Sequence, residues 1–405
     1  MLADCLSINE KGHLTIGGAD TIQLAGTFGT PLYILSEQEI QANCHSFTGA
    51  MNKYYGDDAL VTYAGKALCC KEMCRIVHRE GLCLDVASAG ELHTALSAGF
   101  PAAKIFMHGN NKPEHELRYA LESGVGTIVV DNFQELFMLE RLAGEMGCRQ
   151  RILLRIKPCV EAHTHSYVVT GAIDSKFGFA LENGDALKAA VAAIASESLE
   201  YRGLHCHIGS QIFDTAPFCE TVNVMVKLIH EIEKGTGRTT AMLNLGGGFG
   251  VRYTDKDRLV TPNEYLSAIS SAFFEACKTN RVQPPQVVIE PGRSIIASAG
   301  ITLYTVGSIK CIENIRTYVS VDGGLPDNPR YALYSSPYTI LSAERAGGEA
   351  TMKVTIAGRC CESGDLLQEH IDIQPVEPGD ILAVLIIEER KLDLKALWKY
   401  HANLE

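Results

Sequence analysis

The chain has 405 residues, 46% of them hydrophobic and 21% charged, which suits roughly two or three domains, or one large barrel with an appendage. A net charge of -12 and a pI of about 5.6 argue against nucleic acid and against an anionic membrane surface as partners. No apolar run reaches the roughly 18 residues of a membrane span. The opening MLADCLSINEKGHL lacks the basic start and apolar core of a secretory signal, so a cytoplasmic location is expected. The 14 cysteines sit mostly singly in apolar context, as at Cys83, Cys148, Cys206 and Cys311, which fits a reduced protein. Cys70 and Cys74 form a C-x3-C, but Val77 stands where an iron–sulfur motif would need its third thiol, and no metal site is expected.

The opening stretch, through TPLYIL, is strand-like in texture. From there apolar runs of strand length recur: LVTYA (60–64), CLDVA (83–87), IFMHG (105–109), TIVVD (127–131), ILLRI (152–156), LHCHI (204–208), MLNLG (242–246) and VVIE (287–290). Helix-period patterns lie between them, such as Glu91 to Ala98 and Glu114 to Leu121, stopped by Gly99 and Gly124. Such alternation predicts right-handed βαβ units and a parallel sheet, and eight strands over about 230 residues match a (β/α)8 barrel. A doubly wound open sheet is the alternative. After Arg293 the texture changes to IIASAGITLYTVGSIK, TYVSVDGG, MKVTIAG and DILAVLII, strands without helical spacers. The expected organisation is therefore a barrel over 35–293 inserted into an all-β domain built from 1–34 and 294–405.

Chemistry in such barrels gathers at the C-terminal ends of the strands. Two glycine turns fall there, NLGGGFG (244–250) and IEPGR (289–293). Turns of this kind expose several backbone N–H groups on one side and bind anions, so the pair predicts one phosphate held from two sides. The G-x-G-x-x-G dinucleotide pattern fails, because Val251 replaces its last glycine. Lys66, in VTYAGKAL, is placed to form a Schiff base if its neighbours lower its basicity; the bland reading is a surface lysine. In HCHIGSQ, His205 and His207 face one side of a strand. That spacing could bind a metal, stack an imidazole on a cofactor ring, or reflect a hydrogen-bonded core histidine, and Ser210 could add a hydroxyl to the phosphate. Glu290 could pair with a ring nitrogen of an electron-sink cofactor, or simply with Arg293. Asp85, His108, Arg155 and Lys176 also lie near strand ends, without an assigned role. In the β region, VDGGLPDNPRYALY carries Arg330 and Tyr334, and CCESGD carries Cys361, Glu362 and Asp365. A structural cysteine is the plain reading of the latter.

In order, YAGKA, GLCLDVASAGELHTALSAGF, HGNNK, AHTHSY with DSKFGF, GLHCHIGSQ, NLGGGFG, IEPGRSI, VDGG with DNPR, and CESGD span roughly residues 25 to 385. As a set they resemble the diaminopimelate decarboxylases, within the alanine-racemase-like group of pyridoxal-phosphate (PLP) enzymes. The resemblance implies a PLP-binding barrel, a C-terminal β domain and a homodimer with shared active sites. On it, Lys66 would carry the cofactor covalently and His207 would stack on its ring. Ser210, Gly247, Gly248, Pro291, Gly292 and the Arg293 backbone would surround the phosphate, and Glu290 would meet the pyridine nitrogen. Arg293, Arg330, Tyr334 and Glu362 would bind substrate, and Cys361, from the partner subunit, would return the proton. The related ornithine and arginine decarboxylases take a purely cationic distal end. Here Arg293 and Arg330 accompany Glu362, which suits an amino-carboxylate, and so meso-diaminopimelate yielding L-lysine. The alternatives are another amino-acid decarboxylase or racemase on this fold, or a non-catalytic homologue. The chain departs from the family after DILAVL: a tyrosine turn that reaches the phosphate is replaced by IIEERKLDLKALWKYHANLE, an atypical tail over 386–405.

Overall fold

The computed structural model describes residues 3–160, 175–254 and 256–385; the AHTHSY motif and the tail, with Trp398 and Tyr400, lie outside them. The described residues divide into two compact units, one of 44–250 and 260–292, the other of 3–43, 251–259 and 293–385.

The first unit is a closed parallel barrel. Its strands are β1 (Leu60–Ala64), β2 (Cys83–Val86), β3 (Ile105–Met107), β4 (Thr127–Val130), β5 (Gln150–Lys157), β6 (Leu199–Cys206), β7 (Met242–Asn244) and β8 (Gln286–Ile289). Pairing of β8 with β1 (Ile289 opposite Val61) and of β4 with β5 (Val130 opposite Leu154) closes the eight strands and excludes the open-sheet alternative. These strands read as continuous apolar runs because both faces are covered; Thr127–Val130, for example, is buried throughout. Several following helices start with a side-chain cap. The Ser88 hydroxyl accepts from Glu91 N at 3.2 Å and the Asn132 side chain from Glu135 N at 3.0 Å. The two glutamates reach back to Ala87 N and Asp131 N, satisfying donors that a helix start leaves open.

The alternation of side chains along a strand sorts the barrel interior into layers. Leu60, Cys83, Phe106, Val129, Leu153, Met242 and Val288 form an apolar plug. The place of β6 in that layer falls to Gly203, where a Cβ would collide with the Met242 carbonyl. Two residues further along each strand comes a layer that is almost entirely polar: Thr62, Asp85, His108, Asp131, Arg155, His205, Asn244 and Glu290.

The second unit is mostly β. Its main sheet runs in the order β11–β14–β9–β10–β12–β13, with β9 Gly300–Ile312, β10 Arg316–Val321, β11 Thr339–Ser342, β12 Met352–Ala357, β13 Leu366–Ile373 and β14 Ile381–Leu385. Leu32–Leu35 adds to the start of β9, so the N-terminal stretch shares this sheet. The all-β expectation needs correcting: helices Thr21–Phe28 and Arg330–Tyr334 belong here too. So does Cys311, which lies exposed near the end of β9 and not in apolar surroundings. Tyr304, Val306, Val319, Ile356, Leu367 and Leu382 are among the residues of its core. No described helix is long and apolar enough to cross a membrane.

Candidate active site

Glu290 is the centre of the polar layer. Its Oε1 accepts from Asn244 Nδ2 at 2.7 Å, and its Oε2 lies 3.1 Å from His205 Nε2. His108 Nε2 stands 3.0 Å from Oε1, without the alignment of a hydrogen bond. Burial works against the charge on Glu290, but His108 and His205 outweigh it and hold the carboxyl well below the usual range. Burial pushes His205 down to about 4, so the ring is neutral. Since an ionised carboxylate only accepts, the His205 proton sits on Nε2 and leaves Nδ1 bare. His108 behaves differently. Burial pulls it down, yet Asp85 and Glu290 more than compensate and raise it. Burial lifts Asp85 itself to about 7, partly opposed by His108.

Beside this carboxylate the loops after β6, β7 and β8 close on one another through glycine. Gly246 and Gly248 adopt φ of 69° and 104°, a region that favours glycine. A Cβ on Gly246 would collide with the Cys206 carbonyl, one on Gly247 with the Glu290 carbonyl, and one on Gly248 with the Gly209 carbonyl. A Cβ on Gly292 would come within 2.9 Å of the Ala64 methyl. Asn244 links the two features. Besides holding Glu290, its Oδ1 accepts from Gly246 N at 2.9 Å. His207 Nδ1 accepts from Gly247 N at 3.2 Å, and burial, then Lys66, keep His207 well below its ordinary range. Its ring is therefore neutral with the proton on Nε2.

Lys66 lies on the short 3-10 turn Gly65–Ala67 that ends β1. Its side chain is exposed, and the expected desolvation by small apolar neighbours is not found. Ser210 is half-buried in the loop after β6, next to Gln211, whose φ is 57°. Pro291 O accepts from Ala64 N at 3.1 Å, fastening the second glycine turn to β1. The first unit thus brings Lys66, His207, Ser210, Gly247, Gly248, Glu290, Pro291 and Gly292 to one end of the barrel.

The remaining expected residues belong to the second unit. Arg293 opens the short helix Arg293–Ile296. Arg330 is 9% exposed and stacks its guanidinium 3.8 Å over the Tyr253 ring; Tyr334 ends the same helix, half-buried. Cys361 and Glu362 stand exposed on the turn between β12 and β13.

Several residues carry more of this site than their sequence context suggested. Asn244 opens the NLGGGFG phrase, yet nothing in that phrase ties it to Glu290. Lys112, in HGNNK, is buried; its Nζ donates to Gly109 O (2.6 Å) and Val129 O (2.9 Å) and pairs with Glu135 at 2.8 Å. It fastens the loop that follows His108. Arg155 stacks 4.2 Å over Phe177 and stands 4.0 Å from Asp131. The available signal was the two-residue step from the apolar plug: counting on from Val129 and Met242 reaches Asp131 and Asn244.

The described residues fit PLP. The glycines let the loops after β6, β7 and β8 pack backbone to backbone with their N–H groups near the barrel end, where an anion could be held, and the adjoining carboxylate is held ionised. Of its roughly four acceptor positions, three are faced by Asn244, His205 and His108, which leaves one for a protonated ring nitrogen. The ligand atoms of His108, His205 and Glu290 also lie within 4.8 Å of one another, and within this trio His205 Nε2 is hydrogen-bonded to Glu290.

The sequence profile of the family described as pyridoxal-dependent decarboxylase, pyridoxal binding domain, matches residues 37–297. The diaminopimelate decarboxylase of Bacillus subtilis is 48% identical over 93% of this chain and 85% of its own length. The chain belongs to the diaminopimelate decarboxylase family. A second relative, the diaminopimelate decarboxylase of Bacillus methanolicus, is 46% identical over 93% of the chain and 87% of its own length. Among solved structures, diaminopimelate decarboxylase from M. jannaschii in complex with L-lysine superposes with a TM-score of 0.88 at 33% identity, covering 96% of this chain and 89% of the other. The Helicobacter pylori diaminopimelate decarboxylase complexed with L-lysine gives 0.81 at 29% identity, covering 91% and 88%. Membership in this family makes the chain a PLP-dependent decarboxylase.

Proposed function

We propose that this chain decarboxylates meso-2,6-diaminopimelate to L-lysine and CO2, using PLP at the C-terminal end of the barrel strands. The observation that carries the proposal is the ionised, buried Glu290, gripped by His205 and Asn244 beside a shelf of glycines. Bound PLP supplies an electron sink for the pair left behind when the carboxylate departs. Lys66 would hold the cofactor covalently. The ionised Glu290 would accept a hydrogen bond from a protonated ring nitrogen and favour its charge. Neutral His207 presents an uncharged imidazole face to the ring. Gly247, Gly248, Ser210, Pro291, Gly292 and the Arg293 backbone would hold the phosphate.

Arg293 and Arg330 bind the distal carboxylate, Glu362 the distal ammonium, and Tyr334 flanks them. Cys361 returns the proton to the carbon that lost CO2. Cys361 and Glu362 are exposed in the chain, which suits a homodimer in which each subunit lends them to its partner's site. The reading places the enzyme in the cytoplasm, at the step that makes lysine.

The test is visible absorbance of the purified protein given PLP, beside Lys66→Ala, before and after adding meso-diaminopimelate. A Lys66-dependent band that shifts with substrate, with lysine accumulating, is the expected result. A band with no lysine formed would overturn the activity, and a band unaffected by Lys66→Ala would overturn the attachment.

A further inference from the structure

We infer that Asp365 positions the Cys361 turn, by bolting it to the loop that leads into Arg330; the inference rests on Cys361 being the proton donor. The two loops lie side by side in the β unit. One joins β12 to β13 and carries Cys361 and Glu362 at its exposed tip. The other, Gly323 to Pro329, precedes the helix Arg330–Tyr334. Asp365 is 3% exposed at the base of the first.

Its carboxylate divides itself between the loops. Oδ1 accepts from Leu325 N at 2.5 Å and Oδ2 accepts from Cys360 N at 2.7 Å. Cys360 N belongs to the residue just before Cys361, so the bond reaches almost to the thiol. Two glycines make this possible. A Cβ on Gly324, in one loop, or on Gly358, in the other, would collide with the Asp365 carboxylate. The main chain repeats the arrangement: Gly358 N donates to Asp365 O (2.8 Å), Asp365 N to Glu362 O (3.0 Å), and Arg359 N to Gly323 O (2.8 Å). On the other side Asp327 N and Asn328 N donate to Gly324 O at 2.9 and 3.0 Å, passing the constraint on to the start of the Arg330 helix.

A carboxylate suits this place because both facing groups are N–H donors and it offers only acceptors. An asparagine would keep the shape but turn an NH2 toward one of those donors. The core of the unit, with Ile356 and Leu367 on the flanking strands, is built from apolar side chains. What Asp365 controls is the tip.

The decisive readout is stereochemical. Reaction in D2O puts one deuterium on the carbon that lost CO2, and a donor held in one place delivers it to one face. In the holoenzyme we expect a single configuration for the wild type and a mixture for Cys361→Ala. Asp365→Asn should lower kcat on the order of 10²-fold, as for a reacting group displaced by about 1 Å, and should give a mixture while the PLP band is kept. Gly358→Ala, whose methyl would press on the same carboxylate, should reproduce both effects and serves if Asp365→Asn does not fold. A slower Asp365→Asn enzyme that still labels one face would reduce the residue to a structural role and overturn the inference. So would a wild-type rate. If Cys361→Ala retains rate and configuration, the donor reading itself fails, and the role of Asp365 with it.

Discussion

Lys112→Met removes the buried ammonium that holds the loop after β3, and its cost can be worked from the contacts. The loss leaves Glu135, 3% exposed, as an unpaired buried carboxylate, a lesion that typically costs about 3–5 kcal/mol. Glu135 can escape by taking up a proton. Neutralising a carboxyl of ordinary pKa about 4.3 costs about 1.4 kcal/mol per pH unit, hence about 5 kcal/mol at pH 8 and about 1.6 kcal/mol at pH 5.5. Gly109 O and Val129 O also lose a donor, a loss that does not depend on pH. Burial already raises the Glu135 carboxyl, and Lys112 is the chief group opposing that rise. Without Lys112 the folded-state pKa climbs further, so the folded chain holds the proton more tightly and the deficit grows as pH rises. Urea unfolding midpoints at pH 5.5 and pH 8, converted with a common slope, should show a deficit about 3 kcal/mol larger at pH 8. Lys112→Met/Glu135→Gln should have a smaller deficit at pH 8 and no such pH dependence. A single-variant deficit that is the same at both pH values would refute the argument.

Three further outcomes follow from the same geometry. Burial lifts Asp85 to about 7, so the folded protein keeps this proton while the unfolded chain releases it, and stability falls as pH rises from about 4 to about 7; Asp85→Asn should lose less stability across that window, read by thermal unfolding of the cofactor-free protein. Gly247→Ala places a methyl against the Glu290 carbonyl and should weaken PLP binding at least about 10-fold, a change of about 1.4 kcal/mol, as measured by titrating the visible band; wild-type affinity would show that the shelf is not needed. Arg330→Ala should raise KM for meso-diaminopimelate roughly 10- to 100-fold, the worth of one hydrogen bond to a charged group, and leave the PLP band in place. Loss of the band instead would mean that the residue is misassigned.

Much of the barrel was legible because its strands are buried on both faces and read as unbroken apolar runs. All eight runs fall on strands, most with ends moved by a residue or two; LHCHI begins five residues inside the strand Leu199–Cys206. The β unit was harder to read. Thr339–Ser342 and Leu366–Ile373 escaped notice because the first is four residues long and the second carries Gln368, Glu369, His370 and Asp372. The helix Arg330–Tyr334 is a single turn following two prolines and has no periodic pattern to announce it. At the site, Glu290 and the glycine turns stood out by composition. The desolvation expected around Lys66 did not materialise, since small neighbours along the chain say little about what covers a side chain in space.

Local chemistry alone therefore determined the barrel's element types, the glycine turns and the family to which the chain belongs, since each depends on residues close together along the chain or in a fixed order. Charge states and partners were decided only by tertiary structure. Glu290 is ionised because His108 and His205, both far away along the chain, close on it when the barrel does. His205 is neutral and His108 is raised for a reason no window of sequence contains: identical imidazoles in one buried ring differ in which carboxylates they face. Asp365 looks like one more polar turn residue until folding sets Gly358 of its own loop and the distant Gly324 against its carboxylate.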